Sequence, residues 1–149
     1  MDNTTPPAPK SDMTAGYILD TQVGFLLRRA TQRHLTIFSG LIPAITSTQF
    51  AALSKLCELG PTSQNALGRA TAMDAATIKG VIDRLRKKGL ITSRRDPDDQ
   101  RRIFVAASDA GSALYHDTVQ SAQKVSEETL SPLSNAEQTV FLEFLSRLT

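Results

Sequence analysis

The sequence has few of the residues on which enzymes, metalloproteins and secreted proteins depend. Its 149 residues include one cysteine, Cys57, no tryptophan and two histidines, His34 and His116. A lone cysteine cannot form an intrachain disulfide, which favours a reducing, cytoplasmic location. These three residues do not supply the ligands of a zinc site, and Cys57, placed among leucines, is expected to be a buried thiol. No glycine-rich phosphate loop or nucleophile motif is present, so neither an enzyme nor a cofactor is predicted.

Long apolar runs and aromatic side chains are also scarce. No uninterrupted apolar stretch is long enough to cross a bilayer, and the N-terminal residues lack the apolar region of a secretory signal. Aromatic residues make up 5% of the chain, too few for a platform that stacks single-stranded nucleic acid. The length fits one globular domain. Residues 1–15 contain three prolines and no periodic apolar face, and they predict a disordered lead-in.

Positive charge, by contrast, is concentrated in one segment. Nine of the 17 lysines and arginines lie between Lys79 and Arg102, against four aspartates, so this segment carries +5 while the whole chain carries +2. Residues 103–149 carry six acids and two bases. A basic surface confined to one region predicts a polyanionic partner. The alternative, a hairpin whose charges are simply solvated, is disfavoured because nine bases cluster on one motif.

Apolar periodicity predicts a mainly helical chain with one β-hairpin. In chain order, the predicted elements are helices over residues 17–38, 48–59, 64–70 and 75–88, strands from residue 90 and over 103–105, a helix over 109–130, and a last helix after the capping box Ser134–Glu137. Gly40 and Pro43 are expected to end the first helix, and Gly60 is expected to end the second. The order α-α-α-α-β-β-α-α is that of a winged helix–turn–helix bracketed by further helices.

Turn and capping residues support this order. Thr62 or Ser63 can cap the third helix, and Asp74 can cap the fourth, because their side-chain oxygens reach free N–H groups of the first turn. Gly89 stands where a helix end requires positive φ. Asp96–Asp99 is a strong turn sequence between the two strands.

The sequence of the predicted helix–turn–helix and wing resembles that of the MarR family of bacterial transcriptional regulators. The resemblance covers residues 17–149 and is densest and most specific in the wing, where Asp96-Pro97-Asp98-Asp99 precedes Arg101 and follows a Gly-Leu-Ile sequence. The other matching segments are residues 46–50, 66–69, 74–78, 81–85, 88–91 and 109–111. Ser108-Asp109 has Asp where the family more often has Pro, and Ala75-Ala76 makes the front of the fourth helix unusually plain.

The bracketing helices are predicted to form a homodimer. Residues 16–45 and 109–149 are expected to be dimerisation helices, and residues 46–108 the winged helix–turn–helix that binds DNA. The apolar stripe of the outer helices is too long for a small winged helix to cover, and it is more plausibly buried against a second copy. The alternative is that these helices pack on their own subunit.

The fourth helix is predicted to enter the major groove of double-stranded DNA. Ala75, Ala76 and the Thr77 methyl can contact thymine methyl groups, and Lys79 can reach a guanine edge or a phosphate. Gly80, which costs about 1 kcal/mol relative to Ala in a helix, can allow close approach. The residues expected to bind the DNA backbone are Arg84, Thr62, Ser63 and Gln64.

In the wing, Arg101 is predicted to probe the minor groove, since narrow A·T-rich grooves attract a guanidinium. Asp99 can hold Arg101 in position, and the resemblance implies the same pairing. Arg94, Arg95 and Arg102 are expected to neutralise phosphates. A two-fold dimer implies a pseudo-palindromic operator with half-sites about one turn apart.

The resemblance also implies a ligand. Family members typically repress transcription and release DNA when a small aromatic acid binds between the dimer helices and the winged helix. The candidate residues are Tyr17, Phe25, Arg28, His34, Phe38 and Phe50. A fainter similarity to repressors of nicotinate degradation implies a hydroxypyridine carboxylate as effector. The alternatives are that each Phe is ordinary core and that His34 is a partly exposed helix residue or a capping donor.

The predicted function is therefore a dimeric, sequence-specific DNA-binding repressor released by a small aromatic acid. Two other functions stay open: a winged-helix regulator that activates transcription or has no effector, and a winged-helix module that binds proteins. The basic wing separates the last from the first, because protein docking does not require four arginines at one wing.

Overall fold

The computed structural model of the protein describes residues 16–149, so the predicted lead-in over residues 1–15 lies outside the described residues. The elements are a 3₁₀ helix at Leu19–Thr21, α1 (Val23–Leu41), α2 (Ser47–Leu59), β1 (Thr62–Ser63), α3 (Gln64–Ala70), α4 (Ala75–Lys87), β2 (Ile91–Arg95), β3 (Ile103–Ala107), α5 (Asp109–Leu130) and α6 (Asn135–Ser146). The described chain divides into two compact units, residues 16–32 and residues 33–149. None of the described helices is long and apolar enough to cross a bilayer.

The first helix differs from its prediction at both ends. It begins at Val23 rather than Tyr17, because Gln22 has an extended backbone (ψ 137°) and its N–H closes the preceding 3₁₀ turn on the Leu19 carbonyl. It continues through Gly40 to Leu41, so Gly40 does not end it. Glycine only weakens a helix, so Gly40 is tolerated within α1. A proline lacks the N–H that the next helical turn needs, and α1 accordingly ends at Leu41, two residues before Pro43.

The helix–turn–helix consists of α3 and α4. Ser63, rather than Thr62, caps α3 by accepting the N–H of Ala66 at 3.2 Å, while the Thr62 hydroxyl donates to the Gly60 carbonyl at 2.8 Å. The turn between the helices contains Ala72, whose φ of 54° is the one positive value at a non-glycine residue in the described chain.

A three-stranded antiparallel sheet forms the wing and its base, with strand order β1-β3-β2. Strands β2 and β3 are the predicted hairpin, paired from Ile91 opposite Ala107 to Arg95 opposite Ile103. The sequence did not predict β1, a two-residue strand whose Thr62 pairs with Val105. The pairing attaches the start of α3 to the wing.

The core lies within residues 33–149, where α2, α3, α4, the sheet and α5 meet. Its buried side chains are Phe38, Ile42, Ile45, Ala52, Leu53, Leu56, Leu67, Ile78, Val81, Ile82, Leu85, Leu90, Ile91, Val105 and Val125. Gly111, near the start of α5, packs directly on the backbone of Leu90, where a Cβ would overlap the carbonyl oxygen. Gly89 has the predicted positive φ, 72°. Cys57 is half-buried rather than fully buried, with Sγ 4.0 Å from Ser112 Oγ.

The last helix has the predicted capping box and an uncovered apolar surface. Ser134 and Glu137 exchange side-chain hydrogen bonds with each other's backbone N–H. Val140, Phe141 and Phe144 are all more than 40% exposed. We call this apolar surface of α6, together with Leu133 and Leu148, the α6 face.

Candidate DNA interface

Helix α4 has one buried side and one exposed side. Ile78, Val81, Ile82 and Leu85 are buried, which fixes how the helix is rotated. The opposite side exposes five of the residues predicted to read DNA: Ala75, Ala76, Thr77, Lys79 and Arg84. Gly80 is half-buried, and a Cβ there would contact only the Arg84 guanidinium, at 3.5 Å. No group of residues 16–149 therefore approaches Gly80 closely enough to require glycine.

The start of α4 is fixed by Asp74, as the sequence predicted. Its carboxylate accepts a hydrogen bond from the N–H of Thr77 at 2.7 Å. This bond favours the ionised carboxylate, so the pKa of Asp74 lies below its ordinary value of 3.8. Thr77 is thereby held in the first turn, on the exposed side that was predicted to approach base edges.

Asp83 joins two cations on the same helix. Its carboxylate lies 3.2 Å from the Lys79 ammonium and 3.1 Å from the Arg86 guanidinium. The hydrogen bond from Lys79, followed by the charges of Lys79 and Arg86, lowers the pKa of Asp83 below 3.8. Arg86 also donates from Nε to Ser93 Oγ at 3.0 Å, which links α4 to β2. The sequence did not predict this role for Arg86, because nothing local indicates that β2 returns beside α4.

The wing loop, residues 96–102, is held by its own hydrogen bonds. The Asp96 N–H donates to the Arg102 carbonyl and the Arg102 N–H donates to the Asp99 carbonyl, both at 2.9 Å. Asp99 also holds Arg101, although through its backbone: the Arg101 N–H donates to Asp99 Oδ1 at 3.0 Å. No carboxylate of the described residues lies within 4.0 Å of the Arg101 guanidinium, which leaves that group available to a partner.

The other wing arginines are also exposed. Arg95 donates to the Gln100 carbonyl at 2.9 Å. Arg102 lies 4.0 Å from Asp96 and 5.4 Å from the centre of the Phe104 ring. Arg94 is exposed on β2, opposite Phe104 in the hairpin.

A polar cleft of about 300 Å³ separates α3 from the wing. Its lining includes the predicted residues Ser63, Gln64, Arg101 and Arg102, and also Asn65 and Arg69, which the sequence did not single out. The available signal for Arg69 was its exposed position beside buried Leu67. That signal was insufficient because α3 is short and β1, which brings the wing beside it, was not predicted.

Comparison with known proteins supports this arrangement. The family model described as "MarR family" matches residues 45–103. The chain is 38% identical over 147 residues to the HTH-type transcriptional repressor NicR of Pseudomonas putida, covering 97% of this chain and 92% of that one. A protein from Pseudomonas aeruginosa, described as a probable transcriptional regulator, has a crystal structure that superposes with a TM-score of 0.85 at 49% identity. That alignment covers 89% of this chain and all of the other.

BpsR of Bordetella bronchiseptica, whose DNA binding is regulated by 6-hydroxynicotinic acid, superposes with a TM-score of 0.84 at 37% identity. The alignment covers 89% of this chain and 96% of that one. The chain belongs to the MarR family. The predicted fold is confirmed, and so is the prediction of a MarR-type DNA-binding repressor rather than an enzyme.

Three residues predicted to bind a ligand of this MarR-family protein lie in residues 16–32. Tyr17 is 68% exposed, and Arg28 is exposed on α1. Phe25 is half-buried, with the guanidinium of Arg29 5.9 Å from the centre of its ring. Each of these three therefore presents surface that a partner could contact.

The other three predicted ligand residues, His34, Phe38 and Phe50, lie in residues 33–149. The rings of Phe38, Phe50 and Tyr115 contact one another in sequence. Phe38 is in the core, as the alternative reading held, with its ring centre 6.2 Å from that of Phe50. Phe50 is half-buried and stacks on Tyr115 at 5.7 Å. The structure thus brings Phe38 and Phe50 together and adds Tyr115, which the sequence did not single out.

His34 contacts α5 through one ring nitrogen. Its Nδ1 lies 2.9 Å from Thr129 Oγ1, and that hydroxyl donates its own proton to the Val125 carbonyl at 2.7 Å. Since the hydroxyl proton is already used, Nδ1 of His34 must be the donor. In a ring that carries one N–H, Nε2 is then an acceptor. Within residues 16–149 no cluster of His, Cys, Asp and Glu could hold a metal ion.

Proposed function

We propose that this protein is a cytoplasmic homodimeric repressor that binds a pseudo-palindromic operator and leaves it when a small aromatic acid binds. The observation that carries the DNA-binding part is the basic surface made by α4 and the wing. Arg86 joins its two parts through Ser93, so the helix that enters the major groove and the hairpin that reaches the minor groove are held in one orientation.

Base reading is assigned to the exposed first turns of α4. Ala75, Ala76 and the Thr77 methyl are suited to thymine methyl groups. Asp83 holds Lys79 at 3.2 Å, so Lys79 reaches a guanine or a phosphate from a restricted position. The free guanidinium of Arg101 is assigned to the minor groove.

Dimerisation is assigned to the outer helices. The α6 face groups several exposed apolar side chains, which favours an interface, and a second copy would bury it. The acidic balance of residues 103–149 supports a dimer interface on the side away from DNA. Operator half-sites should then lie about one helical turn apart.

The effector is proposed to be an aromatic carboxylate of the hydroxypyridine class. The support is similarity to NicR and to BpsR, which responds to 6-hydroxynicotinic acid. In this chain, Nε2 of His34 can accept a hydrogen bond from a ligand hydroxyl or ring N–H. The ligand's carboxylate is assigned to Arg28.

DNA binding is tested with Arg101→Ala. Loss of a minor-groove guanidinium should weaken operator affinity by at least about tenfold, measured by fluorescence anisotropy against operator and scrambled duplexes. Lys55→Ala is the matched control, because it removes one positive charge from α2, outside the proposed DNA and dimer surfaces. Unchanged affinity of Arg101→Ala, with Lys55→Ala also unchanged, would remove Arg101 from the interface.

The effector is tested by adding 6-hydroxynicotinic acid to the complex. Release requires a differential affinity worth about 1–3 kcal/mol, or 5–150-fold in operator affinity. Arg28→Ala should keep operator affinity and lose the response, whereas Lys55→Ala, which removes a positive charge from α2, should keep both. Tight operator binding that no aromatic acid alters would favour a regulator without an effector.

A further inference from the structure

We infer that the cleft between α3 and the wing loop holds one phosphodiester of the DNA backbone and that Arg69 is its principal cation. This inference rests on the proposed function and deepens it. It adds Arg69 and Asn65 to the residues that contact DNA and joins separately predicted residues into a single site.

The walls of the cleft come from two segments that a strand pairing holds together. Ser63 pairs with Phe104, one residue from the Ile103 that begins β3. Asn65 and Arg69 line the cleft from α3, while Arg101 and Arg102 line it from the wing loop. The pairing of β1 with β3 keeps the two walls at a fixed separation. The cleft is therefore already formed in the absence of DNA.

Positive charge in the cleft is not neutralised by the chain itself. No acid of the described residues lies within 4.0 Å of the guanidinium of Arg69 or of Arg101, and the nearest acid to Arg102 is Asp96, at 4.0 Å. The Arg69 side chain makes no hydrogen bond within residues 16–149. Three exposed guanidinium groups with so little compensation favour an anion, and guanidinium forks match phosphate oxygens.

Neutral donors complete the site. The Ser63 hydroxyl oxygen accepts the N–H of Ala66, and its proton remains free to donate. The Asn65 side chain supplies an amide donor on the same wall. This set of donors, with three permanent cations, is suited to an anion with several oxygens and a permanent charge.

A DNA phosphodiester is the anion favoured over a free one. Arg101 and Arg102 belong both to the cleft and to the wing that is assigned to the minor groove. A duplex that receives the wing therefore brings its backbone alongside, with one charge about every 3.4 Å along each strand. The cleft is open to solvent, so a continuous strand can pass through it.

Arg69→Ala tests the site. Affinity for operator and scrambled duplexes should fall by the same factor, at least about tenfold, because phosphate contacts carry no sequence information. The log–log salt slope should become less steep by about one for each subunit, or two for the dimer. Thermal unfolding should be unchanged, since Arg69 is exposed. Lys55→Ala again serves as the control for loss of charge.

A second measurement locates the phosphate. Operators carrying one neutral methylphosphonate are scanned against wild-type protein and Arg69→Ala. At one position in each half-site, the methylphosphonate should weaken binding of wild-type protein but not binding of Arg69→Ala. The reason is that the methylphosphonate and the Arg69→Ala substitution remove the same contact, so the second has no further effect once the first is made. Equal sensitivity of both proteins at every position would overturn the assignment.

The remaining outcomes separate the inference from the proposed function. If wild-type protein binds neither the operator nor the scrambled duplex, the proposed function itself is wrong. Wild-type protein that binds while Arg69→Ala binds equally well would reject only the cleft. If inorganic phosphate shifts the Asn65 and Arg69 NMR signals while Arg69→Ala leaves DNA affinity unchanged, the cleft binds a free anion, and its assignment to DNA is wrong.

Discussion

Adding one methyl group at Gly111 should disrupt the junction between α5 and the wing. A Cβ on Gly111 would overlap the Leu90 carbonyl oxygen and lie 2.9 Å from the carbonyl carbon. Carbon atoms pack at about 3.5–4.0 Å, so Leu90 would have to retreat by at least about 0.6 Å. Both contacted atoms belong to the backbone, which cannot rotate away as a side chain can.

The expected cost follows from these contacts. Overpacking of this kind costs about 1–3 kcal/mol. The Leu90 carbonyl also accepts the Ser108 N–H at 3.0 Å, and losing that bond adds about 1 kcal/mol. Replacing a helical glycine returns about 0.5–1 kcal/mol. Gly111→Ala should therefore lower the free energy of unfolding by about 1–3.5 kcal/mol.

Gly40→Ala is the matched control. It is also a glycine within a helix, but a Cβ there would meet nothing within 4 Å. It should raise the free energy of unfolding by about 0.5–1 kcal/mol. Urea unfolding of both variants at one protomer concentration measures the difference, since a dimer's stability depends on concentration. Wild-type stability of Gly111→Ala would show that α5 does not approach Leu90 this closely.

Three further predictions concern the α6 face, the helix–turn–helix and acid stability. Phe144→Asp should convert the proposed dimer to monomer in sedimentation and abolish operator binding; a dimer that persists would show that the α6 face is not the interface. Ala72→Gly should raise the free energy of unfolding by about 1 kcal/mol by relieving a positive φ, and a loss of stability would contradict that φ. The lowered pKa of Asp83 means that its bond to Lys79 stabilises the fold above pH 3.8 and is lost as pH falls further. The stabilities of wild type and Asp83→Asn should thus converge in acid, and a gap that persists there would refute the pairing.

Features set by a few neighbouring residues were predictable from the sequence. The caps at Asp74 and Ser134 depend on a side-chain oxygen and an N–H three residues away, and the turn at Gly89 depends on one backbone angle. The buried side of α4 follows from apolar spacing alone. The fold class, these caps and the basic hairpin could therefore be predicted from the sequence.

Features that depend on distant segments were not predictable. Strand β1 has two residues, too few for any periodicity, and it exists because β3 lies beside it. Arg69 became a candidate only because that pairing brings the wing next to α3. The start of α1 was placed too early because Tyr17, Ile18 and Leu19 continue its apolar character while the backbone at Gln22 interrupts the helix.

The proposed release of DNA requires a connection between the ligand residues and the wing, and α5 is suited to provide it. Near its end, Thr129 accepts the hydrogen bond of His34, and the carbonyls of Glu128 and Thr129 accept two from Arg33. At its start, Gly111 packs on Leu90, the residue before β2. A helix of 22 residues extends about 33 Å. A ligand that shifts α1 against Thr129 would therefore shift α5. Because Gly111 packs directly on the Leu90 backbone, that shift would also move the base of the wing.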